Sequence, residues 1–182
     1  AITAAQVLWI NIVNDVFPNL ALTVDPKQDH LLEEPPIDQK EQVVNGELKA
    51  LILVISAITG LSTLAIFSWS YPIYGIEVAR TLSFALLAID SLVYVFSCRT
   101  VTVNVWKESL FTNKWLVWAV LLSGLATVLP IYVEPFQSFF SFRPLEMIHW
   151  VIVAVMSIVV TAAIEITKYV YFNVLVSKQK KM

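Results

Sequence analysis

The sequence is short of charge, of glycine and above all of cysteine, and each shortage removes a class of protein. Asp, Glu, Lys and Arg make up only 14% of its 182 residues, against 58% hydrophobic, and a mean hydropathy of +0.73 lies far outside the soluble globular range. A lipid-facing surface accounts for that excess. The net charge of −2 comes without a dense basic patch, so nothing points to nucleic acid as a partner. A single cysteine, Cys98, excludes an intramolecular disulfide framework and a cysteine-based metal site. Only four glycines and eight prolines interrupt the chain. Its apolar runs are too long for buried strands, and the short alternating segments of a membrane β-barrel are missing, so the spans should be helices. Also missing before the first apolar segment are an initiator methionine and the charged n-region and cleavage site of a signal peptide. Residues 1–182 therefore read as one membrane domain, a piece of something longer.

What is present is an all-α pattern, an integral membrane bundle of about five transmembrane helices. About 20 apolar residues cross a bilayer, and five segments qualify: about 1–24, 50–70, 80–98, 115–133 and 147–171. Between the first two lies a polar loop, 25–49, rich in Asp, Glu, Lys and Gln and punctuated by Asp25-Pro26 and Pro35-Pro36, with loop rather than helical chemistry. Trp69, Tyr71 and Pro72 mark the end of the second span, with Tyr74-Gly75 continuing the turn, and Glu134-Pro135 stops the fourth. Ser56, Thr59, Gly60, Ser62 and Thr63 are small residues at close spacing in the second span and read as a helix packing face.

Lys and Arg set orientation, since acidic residues contribute little. All of the 12 basic residues except Arg80 and Arg143 fall on one set of flanks. Those flanks should be cytoplasmic, which puts the N-terminus of the chain outside, the loop 25–49 and the C-terminus inside, and makes the protein multi-pass. Trp69, Trp106, Trp115, Trp118 and Trp150 sit near the expected interfaces, where an indole buries its ring and keeps its N–H wet.

A carboxylate at mid-membrane costs roughly 2.5–3.5 kcal/mol on insertion scales and usually marks an ion or proton pathway. In the first span Asn11, Asn14 and Asp15 have the i, i+3, i+4 spacing that places three side-chain oxygens on one helix face, and Asn19 extends the stripe. Carboxylate and amide oxygens suit a hard cation such as calcium. Pro18 removes a backbone donor and so releases the carbonyl of Asn14, and interrupted helices of this kind build many transporter ion sites. The plainer reading makes the asparagines packing glue between helices. Asp90, mid-way along the third span, is a second candidate, with an interhelical hydrogen bond as its structural alternative. Glu165 and Lys168 are expected to pair along their own helix near the cytoplasmic interface. His149 is expected at the outer end of the last span as a solvated or interfacial side chain.

The stretch from Gln6 to Pro26 resembles the sixth membrane helix of the type II P-type ATPases, the group of the calcium and sodium pumps. In the calcium pumps that helix reads Leu-Trp, then Asn, two residues, Thr-Asp-Gly, one residue, Pro, an Ala-Leu run and an acidic-Pro loop ending in Pro-Pro. The matching positions are Leu8-Trp9, Asn11, Asn14-Asp15-Val16, Pro18, Ala21-Leu22, Asp25-Pro26 and Pro35-Pro36. Two depart: Asn14 replaces the Thr, and Val16 replaces the Gly with a β-branched residue that restrains local unwinding. The rest of the chain resembles the seventh to tenth helices more loosely, with Asp90 where two-site calcium pumps carry a Glu, Ile131 to Pro135 like the end of the ninth, and Glu165 to Lys168 like an acidic-x-x-Lys feature of the tenth.

The resemblance implies that Asn11 and Asp15 are ligands of a transported cation, calcium first, with Asn14 a ligand by position and Asp90 an accessory one. It also implies that Mg-ATP is bound elsewhere in the complete protein, because this chain has no Asp-Lys-Thr-Gly-Thr phosphorylation motif. No catalytic or cofactor-binding residue is expected here. Its partners would be the N-terminal remainder of the pump, with its cytosolic domains and further transmembrane helices, and the lipid bilayer. Two other readings compete. One is a stand-alone oligomeric channel or secondary transporter subunit with Asp15 and Asp90 in a pore or relay. The other is a purely structural helical bundle.

Overall fold

The computed structural model describes residues 1–24, 46–98 and 112–171. Most of the loop 25–49, the connection after Arg99 and the basic C-terminal tail lie outside the described residues. Every regular element among the described residues is helical: α1 (Ala4–Ile10), a π-helical turn (Asn11–Asp15), α2 (Val16–Leu22), α3 (Gly46–Cys98), α4 (Lys114–Tyr132), α5 (Glu134–Phe140) and α6 (Met147–Val170). Three stretches are long and apolar enough to cross a membrane: Lys49–Ser97 in α3, Lys114–Tyr132 and Met147–Val170.

At 1.5 Å per residue, the 53 residues of α3 would reach about 80 Å, more than twice the hydrocarbon core of a bilayer. It does not run straight. Gly75 has φ 80° and ψ 173°, a conformation open to glycine and costly for any residue with a Cβ. The bend therefore sits where Tyr74-Gly75 was expected to turn the chain. Helix runs past Pro72 to reach it, and two limbs, 46–74 and 76–98, result.

The second limb is the hub of the bundle. Ala79, Leu82, Phe84, Ala85, Leu86 and Ala88 are fully buried there, packed with Ile10, Ile131, Phe140 and Val153 from four other elements. Phe84 meets Phe142 with ring centroids 4.6 Å apart, and Trp9 meets Phe140 edge to face at 5.3 Å. The first limb joins α6 through Leu51 and Ile55 against Val160 and Ile164. The small-residue face expected on that limb packs in part: Thr63 is buried and Thr59 and Ser62 are half-buried. Ser56 and Gly60 are exposed, and a Cβ at Gly60 would meet nothing within 4 Å. Ser62 and Thr63 bond back to the carbonyls of Ile58 and Thr59 on their own helix, while bulky Leu51 and Ile55 fill the joint.

Apolar burial drives helices together weakly in lipid, so polar contacts between helices carry much of the specificity. Gln6 closes a capping box with Thr3 and donates to the carbonyl of Phe140 at 2.8 Å, tying α1 to α5. The α5 turn was not expected from the sequence: Val133 is extended, and Pro135 then starts a new helix at its first turn. His149 is buried rather than solvated, 5% exposed. It accepts the Glu146 N–H at 3.1 Å and stands edge-on to Tyr74 at 4.7 Å, because the bend at Gly75 brings that tyrosine over the start of α6. Arg143 pairs with Glu77 and donates its backbone N–H to Thr81 at 3.0 Å.

Candidate cation site

The site begins with Pro18. Lacking an N–H, it cannot serve the carbonyl of Asn14 in an ordinary α-helical turn. The turn immediately before it, Asn11–Asp15, is π-helical, the wider pairing that single-turn bulges adopt, often at functional positions. Val16, where the resemblance has a glycine, keeps right-handed helical angles of −68° and −53°. The helix is widened but not unwound there.

Widening redistributes the three residues expected on one face. Asn11 and Asp15 are exposed, as is Asn19 one turn on. Asn14 is fully buried. Its amide nitrogen donates to the Ala88 carbonyl at 2.9 Å and to Ser91 Oγ at 3.3 Å, both on α3. Its amide oxygen lies 3.0 Å from the Thr127 hydroxyl of α4. A carbonyl can only accept, so Ala88 fixes which end of the amide is nitrogen. The stripe is thus split into an open face bearing Asn11 and Asp15 and a closed side bearing Asn14.

Helix α4 grips the same segment along its length. Trp9 donates to the Ala126 carbonyl at 3.1 Å, Ser123 donates to the Val13 carbonyl inside the π turn at 2.6 Å, and Asn113 donates to the Ala21 carbonyl at 3.0 Å. Sequence reasoning missed Ser123 and Thr127. The signal that could have found the α4 pair is their i, i+4 spacing, which puts two hydroxyls on one face of an otherwise apolar helix.

Asp90 lies on a different side of α3 from the residues that meet Asn14. It follows Ala88 by two residues and precedes Ser91 by one, and in an α-helix that turns it away from the face those residues show to Asn14. It is 4% exposed and lies beside Ser157 of α6. Neither carboxylate oxygen, nor the Ser157 hydroxyl, has a hydrogen-bond partner among the described residues. Glu165 and Lys168 pair at 3.3 Å, as expected, but inside the protein, 2% and 4% exposed. Ser97 Oγ donates to Glu165 at 2.5 Å, and Lys168 donates to the Ser97 carbonyl at 2.9 Å, so this pair clamps the end of α3 to α6.

Two oxygen-bearing side chains on an open face do not complete a site for a hard divalent cation, which takes six to eight oxygens. Among the described residues there is no group of three His, Cys, Asp or Glu placed to hold a metal.

The family described as "Cation transporting ATPase, C-terminus" matches residues 1–170. The chain belongs to this family. Its relatives include a "Calcium-transporting ATPase" of Bacillus subtilis, 31% identical over 86% of this chain and 18% of the relative. The "Calcium-transporting ATPase 1" of Bacillus cereus is 29% identical over 90% of this chain and 20% of the relative. A "Probable cation-transporting ATPase F" of Mycobacterium tuberculosis is 26% identical over 90% of this chain and 18% of the relative. The chain therefore spans about a fifth of the length of these curated relatives. That membership agrees with the resemblance of Gln6 to Pro26 to a membrane helix of the P-type ATPases.

Proposed function

We propose that this chain supplies one wall of the transport site of an ATP-driven calcium pump, with Asn11 and Asp15 as cation ligands. The observation that carries the reading is the split π turn: one carboxylate and one amide oxygen on an open face, backed by a side hydrogen-bonded to α3 and α4. An unsatisfied carboxylate on a membrane helix is expensive unless something answers it. Helices from the rest of the protein would do so and would bring the missing ligands. Oxygen-only donors favour a hard cation, and relatives named as calcium-transporting make calcium the first choice.

Asp90 is left out of the proposed ligand set because it faces α6. We read α1 through α2 as one span, the two limbs of α3 as two, and α4 and α6 as the others. That gives five, with the N-terminus outside and the C-terminus in the cytoplasm. Mg-ATP would be handled by cytosolic domains in the remainder of the protein. A pore-lining role in a stand-alone oligomer would also leave a polar face open, but it offers no account of relatives about five times longer.

The test is equilibrium binding of radioactive calcium to the full-length protein, with other cations as competitors. Saturable binding that Asp15→Asn or Asn11→Ala weakens at least tenfold is expected. Full binding in both variants would remove these residues from the site, and displacement by a monovalent cation ahead of calcium would change the ion.

A further inference from the structure

We infer that Asn14 is a positioning residue of this site, acting on the ion through Asp15 and Asn11 rather than by touching it. The inference rests on the cation-site reading above and changes the place Asn14 holds in it.

The amide has little left to offer a cation. Both nitrogen hydrogens are engaged, one by a backbone carbonyl and one by a hydroxyl on α3, and the oxygen is met by Thr127 on α4. Turning that oxygen to an ion on the open face would break all three contacts inside a buried, low-dielectric interface, where an unmade hydrogen bond costs most. The Thr127 hydroxyl has one proton and lies 2.9 Å from the Ser123 carbonyl as well. Ser91 likewise bonds its own helix at the Ala88 carbonyl, 3.0 Å away. The asparagine is thus seated among groups already anchored by their own backbones.

What it holds is the π turn. Asn14 and the Val13 carbonyl, one residue apart, are tied to α4 by Thr127 and Ser123, and Asn14 is tied to α3 on the other side. A π turn is a local excess of one residue that can slide along a helix or relax into regular α-helix. Four hydrogen bonds at Val13 and Asn14 oppose that slide, and the direction of Asp15, the next residue, follows from it. A single hydroxyl at position 14 has one proton and could not donate to both Ala88 and Ser91 as the amide does. Movements of α3 and α4 would accordingly reach the ion through Asn14.

Position and ligation are separated by substituting Thr127, which does not lie on the open face. In the full-length protein, the cation concentration for half-maximal phosphoenzyme formation from ATP is measured for Thr127→Val, Thr127→Ser, Asn14→Ala and the double variant Asn14→Ala Thr127→Val. Phosphoenzyme formed from inorganic phosphate without cation is measured alongside. Thr127→Val should raise the half-maximal concentration about tenfold, the equivalent of one buried hydrogen bond. Thr127→Ser should restore it, and the double variant should be no worse than Asn14→Ala, since the two act as one unit. The reaction with phosphate should be unchanged in all of them, which general damage to the fold would not allow. Loss of affinity in Asn14→Ala with none in Thr127→Val would make Asn14 a ligand and overturn the inference. If Asn14→Ala fails to fold, the Thr127 pair decides alone, and equal affinity in the two Thr127 variants refutes it. An unaltered affinity in Asp15→Asn would show instead that the site reading is wrong, and the inference falls with it.

Discussion

At the scale of single residues, the chain separates carboxylates by what meets them. Asp15 is open, Asp90 is enclosed against α6, and Glu165 is enclosed with a lysine. Asp90 was legible as an unusual residue from its place in an apolar run, but its direction was not, because one position along a helix changes the facing side by about 100°. Since it turns from the π segment, Asp90→Asn should leave the cation concentration for half-maximal phosphorylation within about twofold of wild type. A tenfold change would return it to the ligand set. Lys168 neutralises Glu165 and bonds the end of α3, so Lys168→Met should lower stability by about 3 kcal/mol. The double change Glu165→Gln Lys168→Met should cost less than that single one. Chemical or thermal unfolding in detergent checks both, and a double variant worse than the single would show that the ion pair is not the unit.

At the scale of elements, the apolar runs were legible because hydropathy alone marks a helix able to cross a bilayer. The bend in α3 could be foreseen from Tyr74-Gly75. Gly75→Ala should cost about 1–3 kcal/mol, since φ 80° with ψ 173° is strained for alanine, and crowding does not contribute because nothing lies within 4 Å of a Cβ there. Gly60→Ala, in regular helix with the same open space, should be neutral or stabilising by up to about 1 kcal/mol. Equal effects at the two positions would mean that Gly75 is not special. The π turn itself was not legible. A proline announces a lost donor but not whether the helix breaks, kinks or widens, and here Val16, Ser123 and Asn14 decide it through contacts up to 113 residues apart in sequence. Pro18→Ala restores the donor and should let the turn relax toward α-helix. Cation affinity should fall while thermal stability holds or rises, and unchanged affinity would mean that the contacts to α3 and α4 maintain the turn without the proline.

At the scale of the whole molecule, the described residues form a self-consistent packing unit around the second limb of α3, with one polar face left over. The excess apolar exposure of Leu53, Trp115, Met147 and Ile158 suits lipid. The exposure of Asn11 and Asp15 does not. The proposed topology rests on the basic residues, and on it cysteines placed at position 40 or 107 should be labelled by an impermeant reagent only from the cytoplasmic side. Labelling from outside would invert the proposed orientation. The central claim is that Asp15 holds the transported cation, and the most direct measurement is phosphoenzyme formation by the full-length Asp15→Asn protein across a cation series. The change keeps size and an oxygen while deleting the charge on which a hard cation depends. The account predicts that cation no longer triggers phosphorylation from ATP over the range that saturates wild type, while phosphorylation from inorganic phosphate persists. Wild-type cation affinity in Asp15→Asn would contradict it.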